Sequence, residues 1–164
     1  MTMPGHSVRE YRWDRVRLCV HPQENTFEVE LPPFSLRNAR IAARIDGAEV
    51  STSAPWTLAE ESPDRALFRR NDEFGTWDVS FAAAVGGSAP GLTVALALAP
   101  ACEVGTVELH PLAMTGPLPA DHLLIHGRKM GGCEAVPLPV DSPRPFESHF
   151  QTVITRDGCS LHIE

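Results

Sequence analysis

Apolar residues in this chain recur at every second position, and that period constrains its fold more than any other feature. Phe27, Val29 and Leu31 alternate with Glu28 and Glu30, and Trp77, Val79 and Phe81 alternate with Asp78 and Ser80. Successive side chains of a strand point to opposite faces, so this period describes antiparallel strands with one dry and one wet face. From Thr93 to Ala99, large residues (Val94, Leu96, Leu98) alternate with alanines (Ala95, Ala97, Ala99). That strand is expected to be covered on both faces, with the alanines admitting a close second layer. Further strands are expected over Val107–His110, Phe150–Ile154 and Leu161–Ile163, with Val16–Val20 as the first.

The turn chemistry agrees. Asp46-Gly47 and Asp157-Gly158 are hairpin signals, because both residue types tolerate the positive φ of a type I′ turn. Gly86 to Gly91 reads as a loop joining the Trp77 and Val94 strands, and Pro32-Pro33 ends the Phe27 strand. Fifteen prolines interrupt any long helix, and residues 137–146 read as an extended connection. Residues 35–47 fit either a helix, with Ile41 and Ile45 one turn apart, or a strand, with Ile41, Ala43 and Ile45 inward. The Asp-Gly turn into Ala48 and the neighbouring β-pattern favour the strand. Ser51 to Asp64 reads as a long loop or an irregular edge. About ten short strands are expected on this period. They predict an all-β, antiparallel two-layer β-sandwich of the supersandwich kind, with a barrel as second choice. Residues 1–15 are expected to be an N-terminal extension, and 16–164 a single sandwich domain. The chain ends just as a last strand begins, which suggests the N-terminal part of a larger protein.

Composition excludes some partners. Fourteen Lys and Arg against 21 Asp and Glu give a net charge of −7, so nucleic acid and anionic membrane surfaces are not expected partners. No apolar run approaches the about 20 residues of a transmembrane helix. The first residues show no basic segment followed by an apolar one, so a cytoplasmic location is expected. The four cysteines (Cys19, Cys102, Cys133, Cys159) are scattered and expected to be reduced.

Few residues suggest chemistry. On a strand, His122 and His126 share a face but lie about 13 Å apart, too far to hold one ion. Cys19 and His21 also share a face but want a third ligand, so neither a metal nor a cofactor is expected. No nucleophile elbow, P-loop or dinucleotide fingerprint is present. Glu60, Glu61, Asp64, Asp72 and Glu73 read as solvated loop carboxylates rather than the pair about 5–10 Å apart that glycoside hydrolysis needs. Among the tryptophans, Trp77 alternates with core residues and is expected to be buried. Trp13 and Trp56 stand in polar contexts and are the candidates for stacking on sugar rings.

The block from Asp121 to Cys133 (DHLLIHGRKMGGC), followed by Phe146 to Gly158 (FESHFQTVITRDG), resembles the N-terminal β-sandwich of α-galactosidases of glycoside hydrolase family 36. In that family an apolar strand runs into a polar glycine turn; His126, Gly127, Arg128, Lys129 and Met130 occupy the comparable place. Gly127 matches, while the tyrosine and tryptophan of the family's turn are replaced. The resemblance implies a non-catalytic domain that packs on a catalytic barrel and supports subunit assembly as a homo-oligomer. It also implies a loop of residues 126–130 on the substrate side, facing an oligosaccharide. The competing expectation is a stand-alone carbohydrate- or protein-binding sandwich without enzymatic activity.

Overall fold

A computed structural model describes residues 8–50, 54–84 and 90–113 and the strands 122–126, 133–137, 152–156 and 159–163, with side chains described as far as Leu109. Every regular element among them is a strand, and every pairing is antiparallel. The first sheet is ordered β1-β2-β3-β4-β10. Its strands are β1 (Arg9–Trp13), β2 (Val16–His21), β3 (Thr26–Leu31), β4 (Phe34–Ile45) and β10 (Val107–Ala113), with β5 (Ala48–Glu49) paired to β4. The second runs β6 (Thr57–Ser62), β7 (Arg65–Asp72), β8 (Gly75–Ala83), β9 (Leu92–Pro100). The third is ordered β12-β11-β13-β14, from β11 (His122–His126), β12 (Cys133–Pro137), β13 (Thr152–Arg156) and β14 (Cys159–Ile163).

The chain divides into two compact units, Met1–Leu31 with Arg37–Thr115, and Pro32–Leu36 with Gly116–Glu164. The first unit is a two-layer sandwich. Its inner faces follow the alternation of the sequence: Val16, Leu18 and Val20 on β2, Phe27 and Val29 on β3, and Trp77, Val79 and Phe81 on β8 are all buried. Aromatic rings join the sheets. Phe27 meets Phe81 edge-on at 5.1 Å between centroids, and Tyr11 meets Phe68 at 6.4 Å. Such T-shaped pairs set the positive edge of one ring against the negative face of the other, worth about 1 kcal/mol each beyond their burial. The second unit contains the third sheet, whose registers Leu123↔Ile154 and Ile154↔Leu161 align the apolar residues of three strands.

Residues 35–45 belong to a strand, and its phase changes once. Phe34 and Leu36 are buried, and then Ala39, Ala43 and Ile45, so the inward set moves from even to odd positions. Asn38 sits at the break with φ of 55°. A residue in the left-handed region inserts one extra position, as in a β-bulge, and asparagine tolerates that conformation better than most. The expected type I′ turn is present, with φ of 50° at Asp46 and 79° at Gly47 between Ile45 and its partner Ala48. The Asp46 carboxylate also accepts the Thr106 N–H at 2.8 Å, tying this hairpin to the approach of β10.

Three details depart from the sequence reading. Arg9–Trp13, inside the stretch read as an extension, forms strand β1 and pairs along its length with β2. Fourteen strands occur among the described residues rather than about ten. The alanines of β9 face solvent, with Ala95, Ala97 and Ala99 exposed while Val94, Leu96 and Leu98 are only half-buried. The Ser51–Asp64 segment resolves the other way: from Thr57 to Ser62 it is an edge strand whose register shifts between Leu58 and Glu60, an irregular edge as anticipated.

Candidate functional site

The most chemically distinctive place in the first unit is the far end of β7. The inward phase of this strand runs Ala66, Phe68, Arg70, so an arginine takes a core position and is 6% exposed. Its guanidinium lies 4.4 Å from the ring centre of Trp56 and 5.1 Å from that of Trp77. Each ring face carries partial negative charge that replaces part of the lost hydration of the cation. Asp72, the last residue of β7, stands 3.4 Å from Arg70 Nε. The same carboxylate accepts hydrogen bonds from Trp77 Nε1 at 2.8 Å and the Phe74 N–H at 2.9 Å. Burial pushes the Arg70 pKa down and Asp72 opposes that push. The cluster is thus a cation enclosed by two indoles and one carboxylate, each component fixed by another.

The solvent faces carry a different kind of charge pairing. Glu10 on β1, Arg17 on β2 and Glu30 on β3 form a cross-strand row, with Arg17 donating to Glu10 through Nε and Nη2 at 3.1 Å each and to Glu30 at 3.0 Å. Arg12 also reaches Glu10, at 2.8 Å. The Arg17 and Arg12 guanidiniums hold the Glu10 pKa down at about 2. Cys19 shares this face, and partial burial raises its thiol pKa. On the second sheet Arg69 grips Asp78 with two bonds of 2.7 and 2.8 Å. On the dry side, burial drives the Tyr11 hydroxyl up to about 12, and the Glu61 carboxylate works in the same direction.

The residues expected from the sequence to contact sugar are placed otherwise. Trp13 is 7% exposed and stacks on Tyr11 at 5.4 Å, and Trp56 is 3% exposed beneath Arg70. Both were the candidates for exposed contacts. Trp13 is instead buried because it is in phase with Tyr11 on the inward face of β1, and Trp56 because it caps the buried cation. Asp72, read as a loop carboxylate, is the hydrogen-bond acceptor just described. Trp77 is buried as expected. His126 closes β11 opposite Cys133, and Gly127, Arg128, Lys129 and Met130 lie outside the described residues. Cys19 and Cys102 are unbridged thiols. Among the described residues no three His, Cys, Asp or Glu side chains gather as a metal site would require, and no helix is long and apolar enough to cross a membrane.

Arg70 is the residue that sequence reasoning missed. Its signal is present but faint: Ala66, Phe68 and Arg70 share one phase, and the rings of Trp56 and Trp77 with the Asp72 carboxylate make an inward arginine tolerable. No family model, curated protein or solved structure matches the chain. The likeness to the α-galactosidase sandwich therefore rests on the residues from Asp121 to Gly158 alone.

Proposed function

We propose that this chain is an accessory β-sandwich, non-catalytic in itself, which packs against a catalytic domain of an α-galactosidase-like glycoside hydrolase and supports its assembly. The observation that carries the reading is the burial of the Arg70 cluster in the core. The most strongly buried charge among the described residues is spent on joining Trp56, Trp77 and Asp72 to one another. The solvent-face carboxylates Glu10, Glu30 and Asp78 are likewise committed to arginines on neighbouring strands. Such groups serve a scaffold. The two-layer architecture fits the same reading, as does strand β11 ending at His126, immediately before the Gly127–Met130 sequence that carries the resemblance. The partners in this reading are the catalytic barrel, further copies of the chain and, through residues 126–130, an oligosaccharide at the barrel's cleft. We propose a cytoplasmic location, in keeping with the scattered spacing of the four cysteines.

The competing reading, a stand-alone carbohydrate-binding module, draws on the tryptophans, and their burial weighs against it. Isothermal titration of the chain with α-galactosides separates the two. Tryptophan fluorescence is a poor reporter, because all three indoles are buried. No heat of binding up to millimolar sugar is the expected result. Saturable heat at a defined stoichiometry would overturn the accessory reading in favour of the binding module.

A further inference from the structure

We infer that the chain forms a two-fold dimer by antiparallel pairing of strand β1 with β1 of a second copy, in the register that places Tyr11 opposite Tyr11. This deepens the assembly role proposed above and rests on that part of the reading, not on any hydrolase activity. Among the described residues, strand β1 stands at the end of the first sheet and β2 is its ladder partner. An edge strand presents unpaired N–H and C=O groups, a ready template for another strand. Within it Arg9, Glu10 and Arg12 are exposed, and Val8 just before it is 48% exposed, one of two large apolar residues so open among those described.

Charge and face choose the register. A self-pairing must keep dry faces together, which permits only shifts of two residues in the sum of paired positions. Centring the pair on Glu10 sets that carboxylate against its own copy, and centring it on Arg12 does the same for the guanidinium. Centring on Tyr11 places Glu10 opposite the second copy's Arg12, and Arg12 opposite the second copy's Glu10. Opposite charges directly across a ladder attract, and like charges repel. Arg17 already holds Glu10 from β2, so Arg12, with 74% of its side chain exposed, is free to exchange partners. The charges set the register, and the ladder and the newly covered edge supply the association. The edge strand β6 of the second sheet is a poorer template for self-pairing. Strand β6 exposes Glu60 and Glu61 and carries a register shift, so two copies would bring acids together across a distorted ladder.

The test is a charge-reversal pair, with mass measured by light scattering after size exclusion and folding checked by circular dichroism. The wild-type chain is expected to be a dimer. Glu10→Arg and Arg12→Glu, each alone, place two like-charge pairs across the interface and are expected to weaken dimerisation by about tenfold or more. Mixed in equal amounts they restore opposite charges at both contacts, so the mixture is expected to form a heterodimer. A structural role of either side chain within one copy would not produce that rescue. A wild-type dimer that both variants leave intact refutes the β1 interface while sparing the assembly role. Variants that fail to recover on mixing refute the register. A monomer at every concentration refutes both the interface and the assembly role.

Discussion

Asp72→Ala is the sharpest perturbation of the sandwich. The substitution removes the acceptor of two hydrogen bonds, from Trp77 Nε1 at 2.8 Å and the Phe74 N–H at 2.9 Å, together with the anion 3.4 Å from Arg70. Hydrogen bonds to a charged group contribute about 1.5–3 kcal/mol each when buried. The Asp72 side chain is 12% exposed, so water recovers little of that. Two such bonds give an expected loss of about 3–6 kcal/mol, a large share of the about 5–15 kcal/mol that stabilises an ordinary domain. The assay is urea unfolding followed by the fluorescence of the buried tryptophans, with the slope of the transition checked for constancy. Asp78→Ala is the matched control. Asp78 also accepts two bonds, at 2.7 and 2.8 Å, yet its side chain and that of Arg69 are 32% and 46% exposed. Solvent competes for such a pair, so its loss is expected to shift the midpoint only slightly. Equal losses in the two variants would refute the argument that burial, rather than bond count, decides the cost.

Two glycines offer a second contrast. At Gly75, φ is 143° and an added Cβ would strike the Ala99 carbonyl oxygen and stand 2.9 Å from Ala101 N, all backbone across the β8–β9 ladder. Gly75→Ala is expected to cost about 3 kcal/mol or more in thermal or urea unfolding. Gly47→Ala meets nothing within 4 Å and bears only its φ of 79°, so about 1–2 kcal/mol is expected, and a reversed order would contradict the geometry. Stability is also expected to fall in alkali. Tyr11 is raised from an ordinary value of 10.0 to about 12, so the stability it contributes is complete below pH 10 and is lost as pH rises towards 12. Tyr11→Phe should flatten the unfolding midpoint across that window, and an unchanged slope would show that other groups govern it.

Most of the sandwich was legible because strands β2, β3 and β8 keep the period of two. Phe27 and Val29 on β3 and Trp77, Val79 and Phe81 on β8 lie on the inner faces that their spacing demands. Asp46-Gly47 was equally readable, since few residue pairs accept two consecutive positive φ angles. Strand β7 was not legible, for a definite reason. Arg69 and Arg70 are adjacent and chemically identical, yet one pairs with Asp78 in solvent and the other enters the core between two indoles. Only partners distant in sequence distinguish them. Trp13 and Trp56 misled for the same reason, because their polar neighbours in sequence are not their neighbours in space. Strand β1 was concealed by its own charges, as Arg9, Glu10 and Arg12 surround two core aromatics. The third sheet was anticipated in part, through the β11, β13 and β14 patterns, while residues 127–130, which carry the resemblance, lie outside the described residues.

Hydrolysis is the most direct test of the central claim that this chain is a scaffold and not a catalyst. The purified protein, at micromolar concentration, is incubated with an aryl α-galactoside and release of the phenolate is followed by absorbance. The account predicts release no faster than in buffer alone. Turnover that rises in proportion to protein concentration would contradict it.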